Sequence, residues 1–218
     1  MKKIVFGLLL LGSHISNAQY DPLGAITSWA DGYVVSHQSD TLAGQVRVGS
    51  VVNDSPTGIV IRLAGDKRVK MSGDELRTLV QQIPDFAYVT GSIPRDRKTI
   101  VFERVPNPRR GGKSMLLERL TPAGGPLALY FDVSGWKRTI EYSFGNFTLS
   151  HRRDLSYVVV KNGQSPLIAR PGSLEAVHDA IFGDCSEFIR NYPVANRRDW
   201  DRFGEMVVAY NQLCALPY

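Results

Sequence analysis

The chain has 218 residues, of which 43% are hydrophobic and 22% are charged, and its formal net charge at pH 7 is +5. This composition argues against an intrinsically disordered chain, because it supplies enough apolar material for a packed core. The small positive charge is weak evidence for any particular partner.

Residues 1–18 have the three parts of a secretory signal peptide. Two lysines precede the apolar run 4–11, and Ser16 and Ala18 place small side chains before a cleavage site. The run is about half the roughly 20 residues that a membrane span needs. We expect residues 19–218 to be exported as one soluble domain without a membrane span or lipid anchor, to the periplasm, the cell surface or the medium.

Residues 32–161 are dominated by patterns typical of antiparallel strands. A first hairpin is predicted over 32–49, with its turn at Ser39 and Asp40. A second hairpin turns at 64–67, where Gly65 suits the positive φ of a tight turn. Further strands, separated by Gly, Pro and Asn, are predicted at 86–89, 99–104, 115–120, 127–131, 139–143, 147–149 and 157–161.

One short helix is predicted inside this β-rich region, over residues 73–83. Ser72 and Glu75 have the spacing of a capping box, and apolar side chains follow at helical spacing. Pro84 would end this helix.

From Ser173 to residue 214 the hydrophobic period is helical. Two to three helices are predicted, the second opened by a capping box at Asp184 and the third capped by Asp199, with Cys214 on its buried face. The predicted fold class is therefore α+β. It consists of an antiparallel β sandwich or open barrel with one short inserted helix, followed by the C-terminal helical segment.

Cys185 and Cys214 are the two cysteines of the chain. An even pair in an exported protein predicts a disulfide, with two buried thiols as the alternative. Neither cysteine has the cationic setting of a reactive thiolate, so we expect a structural bond.

The order and spacing of several short segments along the chain carry a resemblance to a known family. They are 32–35, 39–44, the predicted helix 73–83, 116–118, 127–130, 184–185 and 210–214. In this order the chain resembles an uncharacterised family of secreted proteins common in Bacteroidota, with departures at Ser39, where the family typically has glycine, and at 134–150. The resemblance covers nearly the whole exported part. It implies fold and export, and it assigns no catalytic residue.

Residues 95–113 carry a clear excess of positive charge. Such a segment can bind an anionic ligand, and a solvated strand pair with its loop is the simpler alternative. The candidate residues of this patch are Arg95, Arg97, Lys98, Arg109, Arg110 and Lys113.

No sequence motif assigns a catalytic, cofactor or metal site. The segment 112–114 resembles the end of a phosphate-binding loop, but Asn107 stands where the loop needs glycine, and no nucleotide partner is expected. His37, Ser39 and Asp40 are too close along one strand to form a catalytic triad. No pair of histidines has zinc-ligand spacing.

Carboxylates and tryptophans were the remaining candidates for chemistry on sugars. Asp74, Glu75, Asp199 and Asp201 are placed as helix caps or first-turn residues, which the helix dipole favours. The tryptophans at 29, 136 and 200 can act as sugar platforms, although a core or interface role is the simpler interpretation.

Two functions follow as expectations. The first is a non-enzymatic exported binding or structural module whose β surface holds an envelope protein, a glycan or an anionic polymer. The alternative is a cell-envelope hydrolase acting on glycan or peptide, with a site assembled only in three dimensions. A pocket holding two close carboxylates, or His with Ser and Asp, would favour the enzyme.

Overall fold

A computed structural model describes residues 20–90, 93–133, 138–144, 147–153, 155–162, 164–193 and 197–214. The predicted signal peptide lies outside the described residues. The helices are α1 (Leu174–Phe182), α2 (Ser186–Asn191) and α3 (Phe203–Leu213). The strands are β1 (Ala30–Ser36), β2 (Thr41–Val52), β3 (Ser55–Arg62), β4 (Arg68–Ser72), β5 (Leu76–Gln82), β6 (Thr99–Pro106), β7 (Ser114–Arg119), β8 (Leu127–Phe131), β9 (Arg138–Phe144), β10 (Phe147–Arg153), β11 (Tyr157–Lys161) and β12 (Leu167–Ala169).

Ten of these strands form one antiparallel sheet that does not close. Its strand order is β12-β11-β8-β7-β6-β5-β1-β2-β3-β4, so that β12 and β4 are its edges, while β9 and β10 pair with each other. Both predicted hairpins are present, and Ser39 and Gly65 adopt positive φ in their turns. The α+β class, with an open antiparallel sheet followed by helices, is confirmed.

The predicted helix over 73–83 is wrong beyond its first turn. The capping box forms, since the Ser72 side chain accepts a hydrogen bond from the Asp74 N–H while Glu75 accepts one from the Ser72 N–H. It caps a single 3₁₀ turn, Gly73–Glu75, and β5 follows directly. Because β5 lies between β1 and β6, its backbone groups pair on both sides, and this pairing outweighs the local helical period.

Two smaller predictions are also corrected. Residues 86–89 lie in a 3₁₀ helix, Asp85–Thr90, and not in a strand. The predicted capping box at Asp184 does not form, because α2 has no side-chain cap. Asp184 instead accepts hydrogen bonds from Lys161 and Tyr210.

The buried residues form two cores on the same sheet. In the N-terminal core, mainly aliphatic side chains from β1 to β7 point into a curl of the sheet, across which β3 contacts β7. The C-terminal core lies largely between β8, β11 and the helices, and it is rich in aromatic rings. The two cores meet at β7, where Leu116 belongs to the first and Leu117 to the second.

Residues 20–29 form a strap that is held against the sheet by buried polar side chains. Glu118 is 2% exposed and accepts hydrogen bonds from the Leu23 and Gly24 N–H groups at 2.9 and 2.8 Å. Gln81, fully buried, exchanges two more hydrogen bonds with the strap backbone. These contacts satisfy groups that would otherwise be costly to bury. None of the helices in the described part of the chain is long and apolar enough to cross a membrane.

Candidate functional site

One row of polar side chains crosses the outer face of the sheet, which is the face opposite the N-terminal core. The strand register places Asp31 opposite Gln45, and Gln45 opposite Arg62. Gln82 continues the row on β5 by the same register. With strands about 4.8 Å apart, this row crosses three gaps and spans about 14 Å. We call these four side chains the polar ladder.

The polar ladder lines an open groove of about 800 Å³. Gly32 and Gly44, paired across β1 and β2, contribute backbone alone to its wall. A Cβ atom on Gly32 would lie 2.1 Å from the Val80 carbonyl oxygen, and one on Gly44 would lie 2.3 Å from the carbonyl oxygen of Arg62. Both positions therefore require glycine, because the backbone of the adjacent strand occupies the space that a Cβ atom would fill. The volume is within the range of small-ligand sites.

Two aromatic side chains flank the polar ladder. Tyr33 follows Asp31 by two residues, so it points to the same face, and it is 40% exposed. Trp29 precedes Asp31 by two residues and is half-buried. Trp200, in contrast, is buried in the C-terminal core, and Trp136 lies outside the described residues.

The Trp29 ring contacts two guanidinium groups. The Cζ atoms of Arg47 and Arg62 lie 5.1 and 4.9 Å from its ring centroid, within the range of cation–π attraction. Arg62 also donates to the Gln45 side-chain oxygen, and its Nε lies 4.0 Å from the Asp66 carboxylate. These contacts fix the position of a charged side chain at the basic end of the groove.

The structure divides the six basic candidates from the sequence into two groups. Arg95, Arg97 and Lys98 precede β6, while the other three follow it in the β6–β7 turn. Since β6 has eight residues, the groups lie about 26 Å apart. In the first group Arg97 is paired with buried Glu118 at 2.6 Å, and the Lys98 ammonium lies over the Tyr88 ring.

In the second group one arginine is held by the fold. Arg109 makes a bidentate ion pair with Asp132, at 2.7 and 2.6 Å, and this hydrogen bonding raises the pKa of its guanidinium. The Ser156 hydroxyl donates to the same carboxylate. Arg110 and Lys113 are exposed at the turn. The structure thus brings together two exposed cations at this end of β6.

The predicted disulfide joins Cys185 and Cys214, whose Cα atoms lie 6.1 Å apart. It ties the start of α2 to the end of α3. Beside it, the Lys161 ammonium donates to Asp184 and to the Ile181 carbonyl, which connects β11 to the end of α1. This region has the contacts of a structural anchor.

His37 and His178 take part in structural hydrogen bonds, while the His151 side chain lies outside the described part of the structure. The His37 ring nitrogen is 2.9 Å from the Asp74 carbonyl oxygen, and Ser39 contacts Arg77. His178 is buried against the Phe182 ring, with a ring nitrogen 2.9 Å from the Tyr192 carbonyl oxygen. Among the described residues, no group of three or more His, Cys, Asp or Glu side chains has the arrangement of a metal site.

The chain matches no family model, no curated protein and no solved structure. The resemblance to a secreted family therefore stays a prediction, and the groove has to be interpreted from its own chemistry.

The polar ladder was not predicted from the sequence. Its members are separated by up to 51 positions and meet through the pairing of β1 with β5, which skips three strands. A partial signal was present, because Gly32 and Gly44 interrupt strand patterns, and glycine inside a strand indicates a bulge or a close backbone approach.

Proposed function

We propose that the protein is an exported, non-enzymatic binding module that holds a saccharide chain in the groove on its outer face. The observation that carries this proposal is the polar ladder flanked by Trp29 and Tyr33. Amide, carboxylate and guanidinium groups in one row offer paired donors and acceptors to vicinal hydroxyls. The exposed Tyr33 ring offers an apolar face beside them.

The shape of the groove supports a chain-like ligand. It is open to solvent, and its lining extends across four adjacent strands to the β3–β4 turn. Because the strands belong to a continuous sheet, the donors are held in place before binding, which reduces the ordering cost.

The hydrolase alternative receives less support from the same groove. Its two lining carboxylates, Asp31 and Asp66, are both exposed, and Asp66 lies in the turn beyond Arg62. A general acid requires an environment that keeps its carboxyl protonated, such as burial in an apolar pocket. Binding therefore fits these residues better than hydrolysis.

Affinity electrophoresis in native gels containing neutral or acidic polysaccharides tests the proposal. Wild-type protein should be retarded by at least one polymer, and Tyr33→Ala and Gln45→Ala should each weaken that retardation about tenfold, as expected for a lost stacking surface or paired hydrogen bond. Val89→Ala, at an 85% exposed position outside the groove, is the control and should behave as wild type. Retardation by none of the polymers, or equal retardation of wild type and Tyr33→Ala, would refute the proposal.

A further inference from the structure

We propose that Arg47 and Arg62, stacked on Trp29, form an anion subsite that makes the groove select saccharides carrying carboxylate groups, such as uronic acid residues. This inference rests on the proposed saccharide-binding function and adds the charge of the ligand to it. It concerns a different set of cations from the basic residues of the β6–β7 turn.

The first argument is the pairing state of Arg47. Among the described side chains, three other arginines have a carboxylate at 3.0 Å or less: Arg97, Arg109 and Arg119. Arg47 is exposed and contacts the Trp29 ring, and no described carboxylate lies within ion-pair distance of it. The ring fixes the guanidinium but leaves its N–H donors available. Such a fork of donors matches a carboxylate in bidentate geometry.

The second argument is the number of positive charges on the strands next to Arg47. Arg62 lies directly opposite Arg68 on β4, and Lys70 lies opposite Val60, which is itself opposite Arg47. Like charges opposite one another destabilise a sheet. Asp66, whose side chain is 88% exposed, is the acid in contact with this group, at 4.0 Å from Arg62. A bound anion would relieve the remaining repulsion.

The third argument is the difference in charge between the two ends of the groove. Its basic end is at Arg62 on β3, while Asp31 and Gln82 lie at the opposite end, on β1 and β5. A chain that carries a carboxylate on one residue and neutral hydroxyls on the next ones would match both ends in one orientation. The guanidinium groups of Arg47 and Arg62 stand on adjacent strands, and contact with the Trp29 ring holds both at the same end of the groove.

The experiment compares polymers that differ in charge alone. Polygalacturonate, alginate and hyaluronan are each tested beside their carboxyl-reduced, neutral forms, by affinity electrophoresis at 150 mM salt. The variants are Arg47→Gln, Arg47→Lys and Arg110→Gln, the last being an exposed arginine outside the groove. Circular dichroism confirms that each variant is folded.

We expect wild type to bind at least one of the acidic polymers about tenfold more tightly than its reduced form, as for a hydrogen bond to a charged group. Arg47→Gln should remove this preference, Arg47→Lys should restore part of it, and Arg110→Gln should leave it intact. The inference is overturned if the reduced polymers bind as tightly as the acidic ones, or if Arg110→Gln and Arg47→Gln have equal effects. In that case binding of a neutral polymer that Tyr33→Ala weakens would keep the proposed function. If no polymer binds, both the proposed saccharide-binding function and the anion subsite are refuted.

Discussion

The two halves of the sheet are stabilised in different ways. The N-terminal half, β1 to β6, is built from hairpins over a mainly aliphatic core, and its outer face is left open to solvent. In the C-terminal half all five residues of β8 are buried, helices cover the sheet, and a disulfide joins two of them. From this difference we infer that the covered half contributes most of the stability of the fold, while the open half presents the groove to solvent. Each of the following measurements can strengthen or break this comparison.

The largest effect is expected from Phe182→Ala. This ring is fully buried and lies 4.5 Å from the Phe188 ring and 5.5 Å from the Tyr210 ring, centroid to centroid. Truncation should lower the free energy of unfolding by about 3–5 kcal/mol in urea titrations, because it leaves a cavity in a close-packed aromatic core.

Two control variants are measured in the same way, one in the N-terminal core and one at the surface. Ile61→Val, in the N-terminal core, should lower stability by about 0.5–1.5 kcal/mol. Val52→Ala, at a 57% exposed position, should change it by less than about 0.5 kcal/mol. A cost for Phe182→Ala as small as that of Ile61→Val would contradict the idea that the helical side is the anchor.

Removal of the disulfide is next in size. The double variant Cys185→Ser, Cys214→Ser opens a loop with a sequence separation of 29 residues. The chain-entropy model gives a loss of roughly 3–4 kcal/mol. Hydrogen exchange should show weaker protection of amides in α2 and α3, with β2 and β3 little changed. An equal loss of protection in β2 would show that the two halves open as one unit.

The smallest effect is a pH dependence centred on Asp184. Burial raises the pKa of this carboxyl, but hydrogen bonds from Lys161 and Tyr210 outweigh burial, and the net pKa is lowered from 3.8. A lowered pKa stabilises the fold above the unfolded value, and this contribution is lost as the pH falls through the folded value. Because the side chain is 58% exposed, we expect less than about 1 kcal/mol.

Urea titrations of wild type and Asp184→Asn at several pH values measure the contribution of the Asp184 carboxylate to the free energy of unfolding. The variant should be less stable at pH 7, and the difference should shrink once the pH falls below 3.8. A difference that stays constant from pH 7 to pH 3 would mean that the carboxylate charge has no part in holding the helices.

Local patterns predicted most of the fold. Alternation and turn residues located β1 to β4, and helical spacing located the three C-terminal helices. The even pair of cysteines in a chain with a predicted signal peptide indicated the disulfide. Local patterns failed at β5, where the seven residues fit a helical period as well as a strand, and the capping box before them closed only one 3₁₀ turn. Residues 76–82 form a strand because they pair with β1 on one side and β6 on the other. These partners are distant in the chain, so no local pattern contains that information.

The candidate site could not be predicted for the same reason. Arg97 and Arg109 belonged to one basic segment of the sequence, yet each has a buried carboxylate partner that is distant in the chain. Asp31, Gln45 and Gln82 carry no motif, and they form a row because of strand order. The sequence shows which residues are charged, whereas the pairing of the strands determines which of them are free to bind a ligand.

The open ends of the sheet have a consequence for behaviour at high concentration. A sheet with free edges can extend by pairing with another copy, which leads to aggregation. Here one edge, β12, has three residues, and the other, β4, carries Arg68 and Lys70. Two copies meeting at β4 would bring these cations together, so the residues that crowd positive charge beside the groove also oppose polymerisation. We therefore expect low salt to keep the protein dispersed, and high salt to weaken that protection by screening the repulsion.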